Sequence, residues 1–267
     1  MLARSLQIAF LLVLSYFALA QQKSRQPVTS AAPASSTDCA ASFTSGSGHN
    51  ATSYCVTVNG NITQFSRADD EYIRVGDFTE GYGICDQNSN VQYFDYASAE
   101  TGNWQASSFS STATKAISTR VTSDNVWQIT NTITKVAANA AGPGAAKVTM
   151  QIKNLTGVSR DLILVRFADV DFSQNGNDDF NNDFDFTVDT AFGLEPGFKS
   201  GLSLTTNSFN FERAAFTQAG TAVPNPCNPI PNTPSQPFFG DGAIGQAYLA
   251  RVPKGGTTTI TVTYKPI

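Results

Sequence analysis

Lys147-Val148-Thr149-Met150-Gln151-Ile152-Lys153 alternates polar and apolar side chains without a break. Val148, Met150 and Ile152 fall on one side of an extended chain and the polar residues on the other, the pattern of a strand with one buried and one wetted face. Thr259 to Lys265 repeats it, with Ile260, Val262 and Tyr264 inward. Tyr54 to Phe65 holds two such stretches around Asn59-Gly60, a dipeptide suited to a tight hairpin turn. Ala116 to Thr122 and Val126 to Val136 read as a second hairpin turning at Ser123-Asp124-Asn125. Asp161 to Val170 is apolar on both faces, which fits a central strand covered on each side.

Shorter strand candidates are Val91 to Tyr96, Phe184 to Thr190, Gly201 to Thr205, Phe209 to Arg213 and Ala247 to Val252. With them the chain reads as all-β, a single antiparallel β-sandwich of roughly ten to twelve strands. Composition agrees. Thr, Ser and Asn number 29, 25 and 19 in 267 residues, against 5 Glu and 8 Lys, a balance that disfavours helix interiors. Hydrophobic residues make up 41% and charged ones 14%, enough apolar material for a sizeable core. A net charge of −4 argues against a nucleic-acid partner, which calls for a basic face.

The expected organisation is a signal peptide over residues 1–20, a flexible linker over 21–38 and the β-sandwich domain over 39–267. Leu6 to Leu19 is largely apolar and ends in Ala18-Leu19-Ala20, a small-residue pattern that places cleavage before Gln21. The run is shorter than the ~20 residues of a spanning helix, so no membrane span is expected after cleavage. Gln21 to Asp38 is rich in Gln, Ser, Ala and Pro without apolar periodicity. Export, extracellular or periplasmic, places Cys39, Cys55, Cys85 and Cys227 in an oxidising compartment. Three pairings are open. The preferred one joins Cys39 to Cys55 and Cys85 to Cys227, the second bond pinning the Pro-rich loop Thr221 to Pro237. Asn50-Ala-Thr, Asn61-Ile-Thr and Asn154-Leu-Thr are N-glycosylation sequons, relevant in a eukaryotic source.

The strongest chemical signal is acidic. Asp169 to Asp189 contains seven aspartates and no Lys or Arg, which exceeds the −5 net charge left after residues 1–20 are removed. Such crowding needs a counter-charge or full hydration. Asp171-Phe-Ser173-Gln-Asn175-Gly176-Asn177-Asp-Asp179 spaces oxygen donors at alternate positions with Gly at the sixth, and so resembles the calcium-wrapping D-x-[DN]-x-[DN]-G loop. Ser173 stands where an acid is usual, Asn182 holds the twelfth position, and the flanks read as strands, so the resemblance is not to a whole EF-hand. The expected ligands of a structural Ca2+ are Asp171, Ser173, Asn175, Asn177, Asp179 and Asp183, with Asp169 or Asp185 as further closing groups. The plainer alternative is a hydrated Asn/Asp-rich turn.

A catalyst is harder to find. His49, the one histidine, sits in a Gly/Ser-rich stretch and reads as an exposed loop residue. No nucleophile-elbow, P-loop or metalloprotease motif occurs. Glu71, Glu80, Asp86 and Asp95 are available for glycosidase chemistry, and Tyr93 to Trp104 supplies rings for sugar stacking, although strand alternation favours a core role for those rings. Trp127 reads as core. Arg166, inside an apolar strand, needs a carboxylate, expected from the acidic loop. The favoured function is a secreted or surface-associated, calcium-stabilised β-sandwich binding a glycan or an extracellular protein. The alternative is a carbohydrate-active enzyme, glycoside hydrolase or polysaccharide lyase.

Overall fold

The computed structural model describes residues 39–68, 70–73, 79–140, 142–174, 177–179, 182–195, 200–220, 222–229 and 237–267. The signal-peptide and linker expectations lie outside them, as does Asn175. The fold is all-β and antiparallel, as the alternation requires, with strands numbered β1 to β20 in chain order.

Three sheets are formed. The first runs β1 (Ala41–Ser45), β2 (Thr52–Val56), β3 (Ile62–Arg67), β4 (Asp70–Glu71), β12 (Phe172–Gln174), β13 (Asn177–Asp179). A five-stranded sheet runs β17 (Glu212–Ala219), β19 (Gly242–Val252), β11 (Arg160–Val170), β5 (Thr79–Asp86), β6 (Val91–Ala97). A nine-stranded sheet runs β18 (Phe238–Gly240), β14 (Asn182–Phe186), β15 (Thr190–Leu194), β16 (Gly201–Thr206), β20 (Thr257–Pro266), β10 (Ala145–Asn154), β9 (Trp127–Val136), β8 (Lys115–Val121), β7 (Ser108–Ser111). The strands outnumber the ten to twelve expected partly because four are three residues or shorter, too brief to show a period, and partly because β5, buried on both faces and holding two glycines, shows no polar–apolar alternation.

The main core lies between the nine- and five-stranded sheets. Val148, Met150, Ile152, Ile260, Val262 and Trp127 face Leu162, Leu164, Ile84 and Ile244 across it. β11 is central, flanked by β19 and β5, and its two faces serve different cores. Leu162, Leu164 and Ala168 look into the main core. Val165 and Phe167 look the other way, into a smaller cluster with Tyr96, Phe216 and Ala247, covered by Val223 of the Pro-rich loop. That double burial explains an apolar run without alternation.

Both preferred disulfides are formed, Cys39–Cys55 and Cys85–Cys227. The second holds the described part of the Pro-rich loop, residues 222–229, over the outer face of β5. A side chain at Gly83 would collide with Pro226 and the Tyr96 hydroxyl, so glycine there is what admits the loop. Two strand expectations are corrected. Phe184 to Thr190 is not one strand: the chain turns after Phe186, where the Thr187 hydroxyl accepts from the N–H groups of Asp189 and Thr190 and a new strand begins at Thr190. Phe209 to Arg213 is mostly turn, and its strand starts at Glu212.

The two disulfides close loops of 16 and 142 residues. Chain entropy then assigns about 3 kcal/mol to the first and about 5 kcal/mol to the second. Cys85→Ala/Cys227→Ala is expected to lower the urea midpoint more than Cys39→Ala/Cys55→Ala, and the reverse order would contradict a pinning role for Cys227.

Candidate functional site

Among the described residues, the four carboxylates available for glycosidase work are all engaged in holding the fold. Glu80 is fully buried, and its Oε1 lies 2.5 Å from Nη2 of Arg166 and accepts from the Tyr264 hydroxyl at 2.6 Å. Its Oε2 accepts from the Ile62 N–H at 2.5 Å. Arg166 also donates through Nε to the Tyr264 hydroxyl (3.2 Å) and through Nη2 to the Gly60 carbonyl (3.3 Å). The carboxylate that Arg166 demands therefore comes from β5 and not from the acidic loop. Register decides this, because Arg166 and Ala168 share the inner face of β11, and Glu80 pairs opposite Ala168. Burial pushes the Glu80 carboxyl up, against the lowering pull of Arg166 and the donors around it.

The other three carboxylates behave alike. Asp95 pairs with Arg120 at 2.6 Å, and Glu100 holds the same guanidinium at 2.8 Å. Asp86 pairs with Arg160 at 2.6 Å and accepts from the Trp127 indole at 3.2 Å. Glu71 accepts from the backbone N–H groups of Phe65 and Ile73. The aromatic stretch is core: Tyr82, Tyr93, Tyr96 and Trp104 are all buried. His49 is exposed on a short turn.

The acidic segment divides into two places. At the end of β11, carboxylate oxygens of Asp169, Asp171 and Asp241 lie within 4.8 Å of one another. Asp169 and Asp171 are 1% and 2% exposed, and Asp241 is half-buried. Of the six expected ligands, this cluster contains Asp171. Asp169, expected as a closing group, is present, and Asp241 arrives from the β18–β19 turn. Ser173, Asn177 and Asp179 belong to the backbone hairpin of β12 and β13. Asp183 is exposed on β14, away from the core. Nothing in the local sequence marks Asp241, since only the pairing of β11 with β19 brings Gly242 opposite Val170. Asn182, registered against Gly240, is fully buried, and neither atom of its amide has a hydrogen-bond partner among the described residues.

The second place is a groove of about 310 Å³ lined by Asp183, Asp185, Phe192, Leu194, Phe238 and Phe239, among others. Phe184 is buried and stacks on Phe238 at 4.9 Å, so Asp183 and Asp185 on either side of it face outward. Leu194 and Phe239 stand beside Asp183, and Phe192 stands beside Asp185. Phe239 is 59% exposed. Two carboxylates thus each stand beside an aromatic ring on an open sheet face. Phe192 and Phe239 carried no distinguishing signal in sequence, because each sits in a short strand next to an inward-facing neighbour.

The sequence matches no protein-family model, and no curated protein sequence matches it significantly. Solved structures resemble it to different degrees. A bacterial glucoamylase complexed with acarbose superposes with a TM-score of 0.56 at 10% identity over 91% of this chain and 35% of that one. The chain thus spans about a third of the glucoamylase's length. A heparan sulfate lyase HepC mutant from Pedobacter heparinus gives a TM-score of 0.46 at 10% identity, over 84% of this chain and 34% of that one. The glucoamylase likeness establishes a common fold.

The Arg166–Glu80 pair gives a pH-linked expectation. Arg166→Met strands a buried carboxylate and is expected to cost about 3–5 kcal/mol at neutral pH by urea denaturation. Without the cation, burial keeps Glu80 protonated in the folded state above its unfolded pKa of about 4.3. The folded state then binds the extra proton, so the variant's stability falls as pH rises through that range and its deficit is smallest in acid. A deficit independent of pH between 4 and 7, tested at about unit steps, contradicts the assignment.

Proposed function

We propose that the chain is a secreted, non-catalytic binding module, a β-sandwich braced by calcium at Asp169, Asp171 and Asp241 that holds a glycan in the groove of Asp183, Asp185, Phe192 and Phe239. The observation that carries this reading is the outward register of the groove. Aromatic rings offer apolar faces to the C–H side of a sugar, and carboxylates beside them accept from its hydroxyls. Export is supported by two formed disulfides, which persist in oxidising compartments. Among the described residues no helix is long and apolar enough to cross a membrane.

Binding is favoured over hydrolysis by the placement of the carboxylates. A glycosidase sets its two acids on opposite sides of the scissile bond. Asp183 and Asp185 project from the same face of one strand, on one side of any ligand lying in the groove. The remaining acids considered for that chemistry are the structural groups described above.

Calcium is supported by the donor set. Three carboxylates converge within 4.8 Å of one another, two of them buried, an oxygen-rich donor set of the kind that ligates a divalent cation. All the donors are hard oxygens, which select calcium over a thiolate- or imidazole-bound metal.

Glycan-array screening followed by calorimetry tests the groove. Phe192→Ala and Phe239→Ala are each expected to weaken binding about tenfold, equivalent to ~1.4 kcal/mol, with the fold intact by circular dichroism. Unchanged affinity in both variants refutes the groove, and release of oligosaccharide products makes the chain a carbohydrate-active enzyme instead. Calcium at about a hundred times its Kd is expected to add ~2.7 kcal/mol, raising Tm by roughly 5–10 °C. Asp241→Asn is expected to abolish that shift, and identical melting curves in calcium and chelator would rule the brace out.

A further inference from the structure

The three sequons occupy very different surroundings. Asn61 is 1% exposed, and its Nδ2 donates to the carbonyl oxygens of Glu80 and Asp95, both at 3.0 Å, and to Oδ1 of Asp95 at 3.1 Å. These carbonyls lie where the pairing of β5 with β6 slips between Thr79 and Tyr82, so the Asn61 amide fills the gap in the ladder. A Cβ at Gly81 would collide with the Asp95 carbonyl and with Nδ2 of Asn61, which shows how closely the amide is enclosed. Asn154 is fully buried, and its Nδ2 donates to the carbonyls of Val158 (2.7 Å), Val252 (3.1 Å) and Pro253 (3.2 Å).

Asn50 differs on each count. It ends the short turn Gly48–Asn50 that links β1 to β2, and it is half-exposed. Its side chain makes no hydrogen bond among the described residues. Gly46, Ser47, Gly48 and His49 before it are exposed, and the space beside Gly48 is open.

We propose that in a eukaryotic secretory pathway the folded protein carries one N-linked glycan, on Asn50, and that Asn61 and Asn154 are structural amides closed to modification. The inference rests on the export reading above. In the transfer, Nδ2 of Asn50 bonds to the anomeric carbon of an oligosaccharide carried on a lipid pyrophosphate. The carbon–oxygen bond to the pyrophosphate breaks, the lipid pyrophosphate leaves and the amide gives up one proton. The modified Nδ2 keeps one hydrogen and needs an open path to solvent. Asn50 provides that path. Asn61 and Asn154 use their Nδ2 groups against two or more buried carbonyls, so a chain modified there cannot close its ladders and cover those carbonyls.

The test is to send the full chain through the secretory pathway of insect cells behind an added host leader, which makes the outcome independent of residues 1–20. Secreted protein with both disulfides is treated with a glycan-releasing amidase in heavy-oxygen water, and its peptides are mapped. Label is expected on Asn50 alone, and Asn50→Gln is expected to be secreted with no mobility change on amidase treatment. Label on Asn61 or Asn154 in the oxidised protein overturns the proposal, as does an unlabelled Asn50 or an Asn50→Gln protein that still shifts. Failure of the groove variants to change glycan affinity is a separate readout and leaves this result unaffected.

Discussion

A guanidinium with no solvent exposure sits on the inner face of the central strand, and the fold is arranged to answer it. Arg166 is met by Glu80 from the neighbouring strand, by the Tyr264 hydroxyl from the opposite sheet and by the Gly60 carbonyl from the hairpin turn. Glu80 in turn holds the Ile62 N–H. One carboxylate thus ties together strands from all three sheets. A buried ion pair is a poor source of net stability compared with apolar packing of the same volume. Its effect is on register. A slip of one residue along β11 would carry Arg166 to the outer face, among Tyr96 and Phe216, and leave Glu80 without its cation, so competing pairings are strongly penalised.

The same network explains why the neighbouring ladder is irregular. The slip at Thr79 to Tyr82 turns carbonyls of β5 and β6 away from each other, and Asn61 supplies the donor they lack. Asn61 and Ile62 are adjacent, so one end of the hairpin delivers both the amide for the slipped carbonyls and the N–H for Glu80. Irregular backbone in a core is stable when its polar groups are satisfied, and here a single dipeptide satisfies two of its carbonyls and the Glu80 carboxylate besides.

What could be read from the residues alone was whatever depended on local period. The alternation of Lys147 to Lys153, the turn at Asn59-Gly60 and the two-sided burial of Asp161 to Val170 all follow from side-chain direction along an extended chain. The need of Arg166 for a carboxylate was legible too, because an unpaired buried charge is prohibitive. Its partner was not, since proximity in sequence pointed to the acidic segment while the register of β11 with β5 selects Glu80. Asp241 was hidden for the same reason: it sits in a short glycine-flanked turn, and only strand pairing carries it to Asp169 and Asp171. Strands such as β18 and β14 are too short to show a period, which concealed the groove they form.

Cluster and groove are linked through the chain itself. Phe238 and Phe239 lie three and two residues before Asp241, on the three-residue edge strand β18, which pairs with β14 on one side only. An edge strand that short has few hydrogen bonds to hold it. A cation held as proposed at Asp241 would fix the end of that strand against Asp169 of the central β11 and Asp171 just beyond it, anchoring the least supported wall of the groove to the best supported strand in the molecule. Ordering that wall before a ligand arrives lowers the entropy lost on binding. Under the proposed function the acidic segment would divide its labour: its buried aspartates would hold the cation that stiffens β18, and the exposed Asp183 and half-buried Asp185 would meet the ligand.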